Sequence, residues 1–160
     1  DQSELIKEGH YAAFGTAAAE GMGSIISGLM TAAPYLAAVA AVYAIAKALD
    51  RWVDEVAQPA FNGNLVEMRV AAHYSCRSRN NIKGAKISEH GKGRAIDIAA
   101  FVLSNGKVLT VAQNYNKLLR RIYKAGCGYF MTTLGPGSDG YHEDHFHFDA
   151  SARKGGAYCR

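Results

Sequence analysis

SEHGKGRAID at residues 88–97 and HEDHFH at residues 142–147 are the two stretches around which the chain is organised. The first places an imidazole and a carboxylate seven residues apart, and the second places three imidazoles and two carboxylates within six residues. Four of the six histidines of the chain lie in these stretches. A single histidine needs no special explanation, but this concentration does. We therefore expect the two stretches to meet in space and to form the functional site.

The donor types in the two stretches are those of a catalytic zinc site. Such a site takes imidazole nitrogen and carboxylate oxygen from three protein ligands and leaves a fourth position to water. His90, Asp97 and one histidine of the second stretch would make this set. Asp97 lies in an alternating, β-branched run and is expected to project from a strand, with His90 in the loop before it. The sequence therefore predicts one zinc ion with an open coordination position.

The second stretch has the alternation of a strand with one polar face. In HFHF, at residues 145–148, the two imidazoles share one face and the two phenylalanines share the other. One imidazole is then available to the metal, and the other to the substrate or the attacking water. The alternative interpretation is a group of ordinary surface polar residues beside a core strand. It suits any one of these histidines better than it suits the whole set.

Length and composition predict one folded domain. The chain has 160 residues, of which 49% are hydrophobic and 20% are charged, so it can bury a core and is not disordered by composition. Its net charge of +4 favours anionic surroundings such as phospholipid, teichoic acid or nucleic acid. The basic residues are scattered and form no run with interleaved aromatics. We therefore expect no readout of nucleic-acid sequence.

The N-terminal part of the chain is weakly hydrophobic. Residues 22–46 contain no charged side chain, and a helix of this length could cross a bilayer. The segment is rich in alanine and glycine, and Pro34 interrupts it. Two interpretations stay open: a helix or helical hairpin buried against the domain, or a membrane-inserting segment. Because the chain begins at Asp1 and shows no signal-peptide pattern, we expect it to be a processed or excised piece of a longer polypeptide.

The rest of the chain alternates predicted helices and strands. Apolar residues at helical spacing predict a helix over 44–56, which Pro59 ends, and another over 114–125. Strands are predicted over 65–74, 95–103, 108–111 and 129–133. These elements predict an α+β fold in which a small antiparallel sheet carries the zinc site, flanked by helices and preceded by the hydrophobic helical segment.

Several motifs occur in a fixed order along the chain. They are YSCR at 74–77, SEH at 88–90, AIDI at 95–98, Phe101, LGPG at 134–137, HxDHFHxD at 142–149 and YCR at 158–160. In this combination the chain resembles the extensin-like C-terminal domain, which is related to the D-Ala-D-Ala-type zinc peptidases of hedgehog-like fold. The resemblance covers residues 44–160 as one extensin-like zinc peptidase domain. Residues 1–43, a hydrophobic segment rich in alanine and glycine, lie outside it.

The resemblance implies which residues bind the metal and which move the proton. His147 would be the third metal ligand, beside His90 and Asp97. Related peptidases place an acidic base at the position of Asp144, and other members place a histidine at the position of His145. We favour Asp144 as the base, with His145 orienting it or donating a proton.

Arg77 matches an arginine that polarises the scissile carbonyl or binds a carboxylate in the related peptidases, with Arg79 as the second choice. The planar fork of donors suits this task better than a lysine does. Further residues are expected to surround the metal ligands and orient them. They are His142, Glu143 and Ser88.

The three cysteines, at 76, 127 and 159, do not have the spacing of a zinc ribbon. One disulfide with one free thiol is expected in an oxidising compartment, and three reduced thiols are the alternative. Cys76 and Cys159 each precede an arginine within the family motifs, and we favour Cys159 as a member of the pair.

The resemblance implies hydrolysis of peptidoglycan stem or cross-link peptides that contain D-amino acids, outside the cytoplasm, in the periplasm or the cell wall. The alternatives are a non-catalytic zinc-folded module that binds the wall and a membrane-inserting structural component. A hydrophobic segment fused to a hydrolase would suit the C-terminal, wall-penetrating end of a phage tail tape-measure protein. Its partners would then be the host membrane, through residues 22–46, and other subunits of a tail or envelope assembly.

Overall fold

A six-stranded sheet forms the centre of the computed structural model, which describes residues 33–160. The strands are β1 (Leu65–Ala72), β2 (Ala95–Leu103), β3 (Val108–Thr110), β4 (Thr132–Leu134), β5 (Phe146–Asp149) and β6 (Tyr158–Cys159). The helices are α1 (Ala33–Trp52), α2 (Gln58–Ala60), α3 (Val111–Asn114) and α4 (Lys117–Lys124). A π-helical turn at Val53–Ala57 joins α1 to α2, and 3₁₀ turns lie at Arg79–Asn81 and His90–Lys92.

The strands lie in the order β1-β2-β5-β4-β6, and β3 also pairs with β2. Neighbouring strands are antiparallel except β4 and β6, which are parallel. The α+β class predicted from the sequence is confirmed, but the sheet is mixed and not wholly antiparallel. Residues 150–157 cause the difference, because they carry the chain back along the sheet after β5 and leave β6 running in the direction of β4.

The hydrophobic core lies between one face of the sheet and the helices α1 and α4. Trp52 of α1 is completely buried, and its indole N–H donates to the carbonyl of Ile122 in α4 (3.1 Å). Its ring lies 5.1 Å from that of Phe148 on β5 and 6.4 Å from that of Phe101 on β2. The helices therefore cover one face of the sheet, which leaves the opposite face of β2 and β5 for polar side chains.

The predicted helix over 44–56 is the second half of α1 together with the π-helical turn. Ile45 and Leu49 are buried in the core as its spacing predicts. The widened turn comes just before Pro59, which has no amide hydrogen to donate to a preceding carbonyl, and the helix ends one residue later at Ala60. The first part of the hydrophobic segment, residues 22–32, and most of the proposed N-terminal unit 1–43 lie outside the described residues. Among residues 33–160, no helix is long and apolar enough to span a membrane.

The predicted helix over 114–125 corresponds to α4, which begins three residues later, at Lys117, and the separate short helix α3 precedes it. Asn116 separates them, because its side chain accepts hydrogen bonds from the backbone N–H groups of Leu118 (2.9 Å) and Leu119 (3.1 Å). An asparagine in this position satisfies the free N–H groups of the first helical turn and fixes the start of α4.

One disulfide ties the C-terminal strand to the rest of the domain. Cys127, in the turn after α4, is bonded to Cys159 on β6, with a Cα–Cα distance of 5.8 Å. Cys76 is an exposed free thiol. The prediction of one disulfide that includes Cys159 is confirmed.

Candidate metal centre

Two adjacent strands position the predicted acidic ligand and one histidine. Asp97 on β2 and His147 on β5 are Cα partners in the antiparallel ladder. Their chain neighbours Ile98 and Phe146 are fully buried in the core. Because successive side chains of a strand point to opposite faces, the packing of these apolar neighbours directs Asp97 and His147 to the face that the helices leave uncovered.

A short turn brings His90 to the same place. Ser88 Oγ accepts a hydrogen bond from the backbone N–H of Gly91 (3.1 Å) and closes the start of the turn. Gly93 ends the turn at φ 68°, in the left-handed region that glycine adopts without steric cost. The chain then enters β2, so that His90 lies beside Asp97 instead of following it along the strand.

His90, Asp97 and His147 form a compact, buried cluster that we call the donor group. Asp97 Oδ1 lies 3.1 Å from His90 Nε2 and 2.9 Å from His147 Nδ1, and the two nitrogens are 3.2 Å apart. Ligands bound tetrahedrally to one zinc ion at about 2.0–2.1 Å are separated by roughly 3.3 Å. The three residues assigned from the sequence thus meet with donor-atom spacings close to those of a shared ion. Their role as ligands stays a prediction.

Hydrogen bonds behind the two imidazoles decide which nitrogens face Asp97. His90 Nδ1 donates to the carbonyl of His73 (2.6 Å), and His147 Nε2 donates to Asp149 Oδ2 (3.3 Å). In neutral rings held this way, His90 Nε2 and His147 Nδ1 carry lone pairs. Three acceptors then face one another, and this arrangement requires a cation or a proton between them. Imidazole ligands of metals are commonly held by such outer hydrogen bonds, and the donor set therefore fits zinc.

The ionisation of the group follows from the same contacts. Burial would raise the pKa of Asp97, but hydrogen bonds from His147 and His90 outweigh it and hold that pKa well below its usual value. Burial would lower the pKa of His147, but its hydrogen bonds with Asp149 and Asp97 raise it to about 9. When no cation is bound, a proton on His147 therefore satisfies the facing acceptors. A divalent ion would displace that proton.

A cavity of about 470 Å³ opens above the donor group. On the β1 side it is lined by Arg77 and Arg79, which follow that strand, and on the opposite side by Arg153 and by Tyr158 of β6. The sheet order explains this placement, since β2 and β5 lie in its centre and β1 and β6 at its two edges. The donor group is therefore flanked by cationic side chains on both sides.

His145 lies in the cavity beside the donor group, and Asp144 lies behind it. His145 Nε2 is 3.6 Å from Asp97 Oδ2, while its Nδ1 donates to Asp144 Oδ1 (2.7 Å). The Asp144 side chain is 75% exposed, against 17% for His145. Of the two candidates for the base, the structure therefore places the imidazole next to the donor group and the carboxylate where it orients that imidazole.

Comparison with known families finds a match that covers most of the chain. The family model described as Extensin-like protein C-terminus matches residues 17–160. The chain belongs to this family. No curated protein and no solved structure matches it. The match contains the whole of the cavity, and it starts at residue 17, whereas the motifs place the start of the resemblance at residue 44. The relation of this extensin-like domain to the D-Ala-D-Ala-type peptidases stays a prediction.

The three residues expected to orient the ligands of the extensin-like domain differ in position. His142 is buried, its ring 5.3 Å from that of His147, and its Nδ1 donates to Asp139 Oδ1 (2.7 Å). Glu143 is exposed and accepts from the backbone N–H of Gly137 (3.0 Å), so it holds a loop. Ser88 supports the turn of His90, as described above. Of the three, only His142 packs against a member of the donor group.

Glu89 has a structural role that the sequence did not indicate. It is buried and forms ion pairs with Arg94, with Lys92 (3.0 Å) and with Arg79 (3.6 Å). These pairs fasten the turn of His90 to the start of β2 and neutralise part of the charge of Arg79. Arg77 is half-buried in the cavity wall. Among the described residues no carboxylate forms a salt bridge with it, so its guanidinium is available to a substrate.

Two further residues belong to the site, although the sequence did not predict a role for either. Asp149 orients His147, and its pKa is lowered to about 2, because hydrogen bonds from His147 and Ser151 outweigh the effect of burial. Its position two residues after His147 in a strand, on the same face, was the available signal. Asp139 pairs with His142 from a glycine-rich loop, and no sequence pattern marks it.

Proposed function

We propose that this extensin-like domain is a zinc-dependent peptidase that hydrolyses peptidoglycan stem or cross-link peptides containing D-amino acids. The observation that supports it most is the donor group, three buried acceptors at the bottom of an open cavity with a further imidazole beside them. Two imidazoles and one carboxylate are a ligand set of catalytic zinc sites. The resemblance to D-Ala-D-Ala-type zinc peptidases supports the class of substrate.

The donor group would hold the zinc ion, which when bound supplies a water of lowered pKa and polarises the peptide carbonyl. His145 then acts as the base, because its Nε2 faces this space and Asp144 fixes its ring through Nδ1. An imidazole held in this way takes a proton from the attacking water and returns it to the leaving amine. Asp144 acts through His145, which revises the preference for Asp144 as the base.

Arg77 is suited to the charge that develops on the substrate. It lines the cavity on the β1 side and has no acidic partner within residues 33–160. Its fixed fork of N–H donors would stabilise the oxyanion of the tetrahedral intermediate or bind a substrate carboxylate.

The disulfide supports the proposed compartment. A bond between Cys127 and Cys159 persists in oxidising surroundings and is rare in the cytosol, which supports the periplasm or the cell wall. We further propose that the chain is the wall-penetrating end of a phage tail protein, with membrane and tail partners. This part of the proposal rests on the composition of residues 22–46.

The test is a digest of purified muropeptides by the whole chain, followed by mass spectrometry. Cleavage is expected with zinc, to be lost after treatment with a chelator and restored by added zinc. A matched sample of the Cys76→Ser variant controls for the exposed thiol. Zinc bound at full occupancy with no cleavage would contradict the peptidase and favour a non-catalytic module that binds the wall.

A further inference from the structure

One wall of the cavity is built from the C-terminal segment, and Arg153 is its charged residue. Arg153 Nε donates to Thr132 Oγ1 on β4 (3.0 Å), and its guanidinium lies 5.1 Å from the centre of the Tyr158 ring on β6. The hydrogen bond fixes Nε, where the guanidinium joins the side chain, and the Tyr158 ring covers one of its two flat faces. The outer N–H groups of the guanidinium therefore keep a defined direction and remain available to donate hydrogen bonds to a ligand.

The charge of Arg153 is not compensated within the described part of the chain. No aspartate or glutamate of residues 33–160 forms a salt bridge with it, whereas Arg79 on the other side of the cavity is paired with Glu89 at 3.6 Å. A guanidinium that lines a cavity, is held by neutral partners and lacks a counter-charge is suited to an anionic ligand.

Hydrogen bonds connect this wall to the donor group. Thr132 Oγ1 lies 3.5 Å from Ser151 Oγ, and the backbone N–H of Ser151 donates to Asp149 Oδ1 (3.0 Å). Asp149 in turn accepts from His147 Nε2. Arg153 is thus fixed relative to the donor group, on the side opposite Arg77.

We propose that Arg153 is a specificity-determining residue that binds a carboxylate of the peptide substrate on the β4–β6 side of the donor group. This inference rests on the proposed peptidase function and adds to it a negatively charged group that the substrate must carry. Two parts of a peptide carry the required group, the terminal α-carboxylate and an acidic side chain. Either would form paired hydrogen bonds with the planar guanidinium.

Three matched D-amino-acid peptides distinguish these sources. One has a free C-terminal carboxylate and amidated side chains, one has an amidated terminus and a free acidic side chain, and one is amidated at both places. For the unaltered chain with zinc we expect kcat/KM about tenfold to a hundredfold higher on one of the first two peptides than on the third. The favoured peptide identifies the carboxylate that is bound.

The variant that tests the residue is Arg153→Met, and its matched control is Arg160→Met. Both arginines pack against Tyr158, with Arg160 at 5.3 Å from the ring centre, but only Arg153 lines the cavity. Arg153→Met is expected to lose the preference for the carboxylate, mainly through KM, and Arg160→Met is expected to keep it. An unchanged preference in Arg153→Met, or an equal loss in both variants, would overturn the assignment.

Calorimetric titration of the zinc-loaded chain with the same peptides separates this inference from the peptidase proposal. Binding that favours a carboxylate and loses that preference in Arg153→Met, with no cleavage of any peptide, would support the carboxylate site and overturn the peptidase. Cleavage of all three peptides at equal rates would support the peptidase and overturn the carboxylate site.

Discussion

The donor group and the side chains above it differ in how firmly the fold holds them. In the donor group the side chains of His90, Asp97 and His147 are 3%, 6% and 9% exposed, and hydrogen bonds hold each of them. The rim of the cavity, which we define as Arg77, His145 and Arg153, keeps donor atoms open to the cavity. We therefore expect a change in the donor group to affect folding and metal binding together. We expect a change at the rim to affect only the rate of the proposed reaction or the affinity for its substrate.

The largest effect is expected for His147→Ala. This variant removes one donor and leaves the buried carboxylates of Asp97 and Asp149 without the imidazole that lies between them. We expect loss of bound zinc, activity at background, and a free energy of unfolding about 3–5 kcal/mol lower. Metal analysis, the muropeptide digest and urea denaturation measure the three quantities. A variant that kept both zinc and activity would remove His147 from the donor group.

The next largest effect is expected at the rim, for His145→Gln. Zinc content and stability should stay as in the unaltered chain, while kcat falls about 10²- to 10⁴-fold because the general base is lost. Asp144→Asn is the companion variant and should cost less, since Asp144 acts only through His145. If Asp144→Asn proved the more damaging of the two, the carboxylate would be the base, as the resemblance to zinc peptidases implied.

Removing the disulfide tests whether the C-terminal wall of the cavity can be destabilised without any effect on the donor group. Replacing both Cys127 and Cys159 by serine is expected to lower the free energy of unfolding by about 2–4 kcal/mol, because the unfolded chain is no longer constrained. Zinc content should not change, since neither residue contacts the donor group. Urea denaturation measures the effect, with Cys76→Ser as the control. Loss of zinc in the double variant would show that the wall and the donor group form a single unit.

The smallest effect is expected for Asp149→Asn, which keeps the shape of the side chain but removes the charge behind His147. Zinc affinity should fall about 10- to 100-fold, as for other partners of metal-bound histidines. Competition with a chromophoric chelator measures it. Asp139→Asn is the matched control, because the partner of Asp139 is His142, which lies outside the donor group. Equal losses in the two variants would mean that His142 also binds the metal.

The strands whose apolar and polar residues alternate along the chain could be predicted from the sequence. β2 has the bounds expected from its apolar run, and the polar and apolar faces of β5 follow from HFHF. The convergence of His90 and Asp97 with a histidine of residues 142–147 was predicted from residue type and spacing, and the resemblance to zinc peptidases singled out His147. For the strands the signal is local, because side-chain direction in a strand depends on position alone. For the donor group the signal was the concentration of ligand-type residues in two short stretches.

The rest of the site could not be predicted because it depends on contacts between distant segments. The carbonyl of His73 that holds His90 is a backbone group and leaves no trace in the side-chain pattern. The positions of Asp144 and His145 relative to the cavity depend on where the loop before β5 turns. The contacts that position Arg153 come from Thr132 on β4 and Tyr158 on β6. They form only when β6 lies beside β4, and this parallel pairing was not expected.

The pairing of Asp97 with His147 in the β2–β5 ladder limits which changes of chain length the domain can accept. A one-residue insertion or deletion within either strand would send these side chains to opposite faces and turn a core residue toward the cavity, an isoleucine in β2 or a phenylalanine in β5. The hairpin at residues 104–107 joins β2 to β3 at the far end of β2 from Asp97, and it can lengthen without altering that pairing. Length variation among functional members of the family should therefore collect in such turns and avoid residues 95–98 and 146–149.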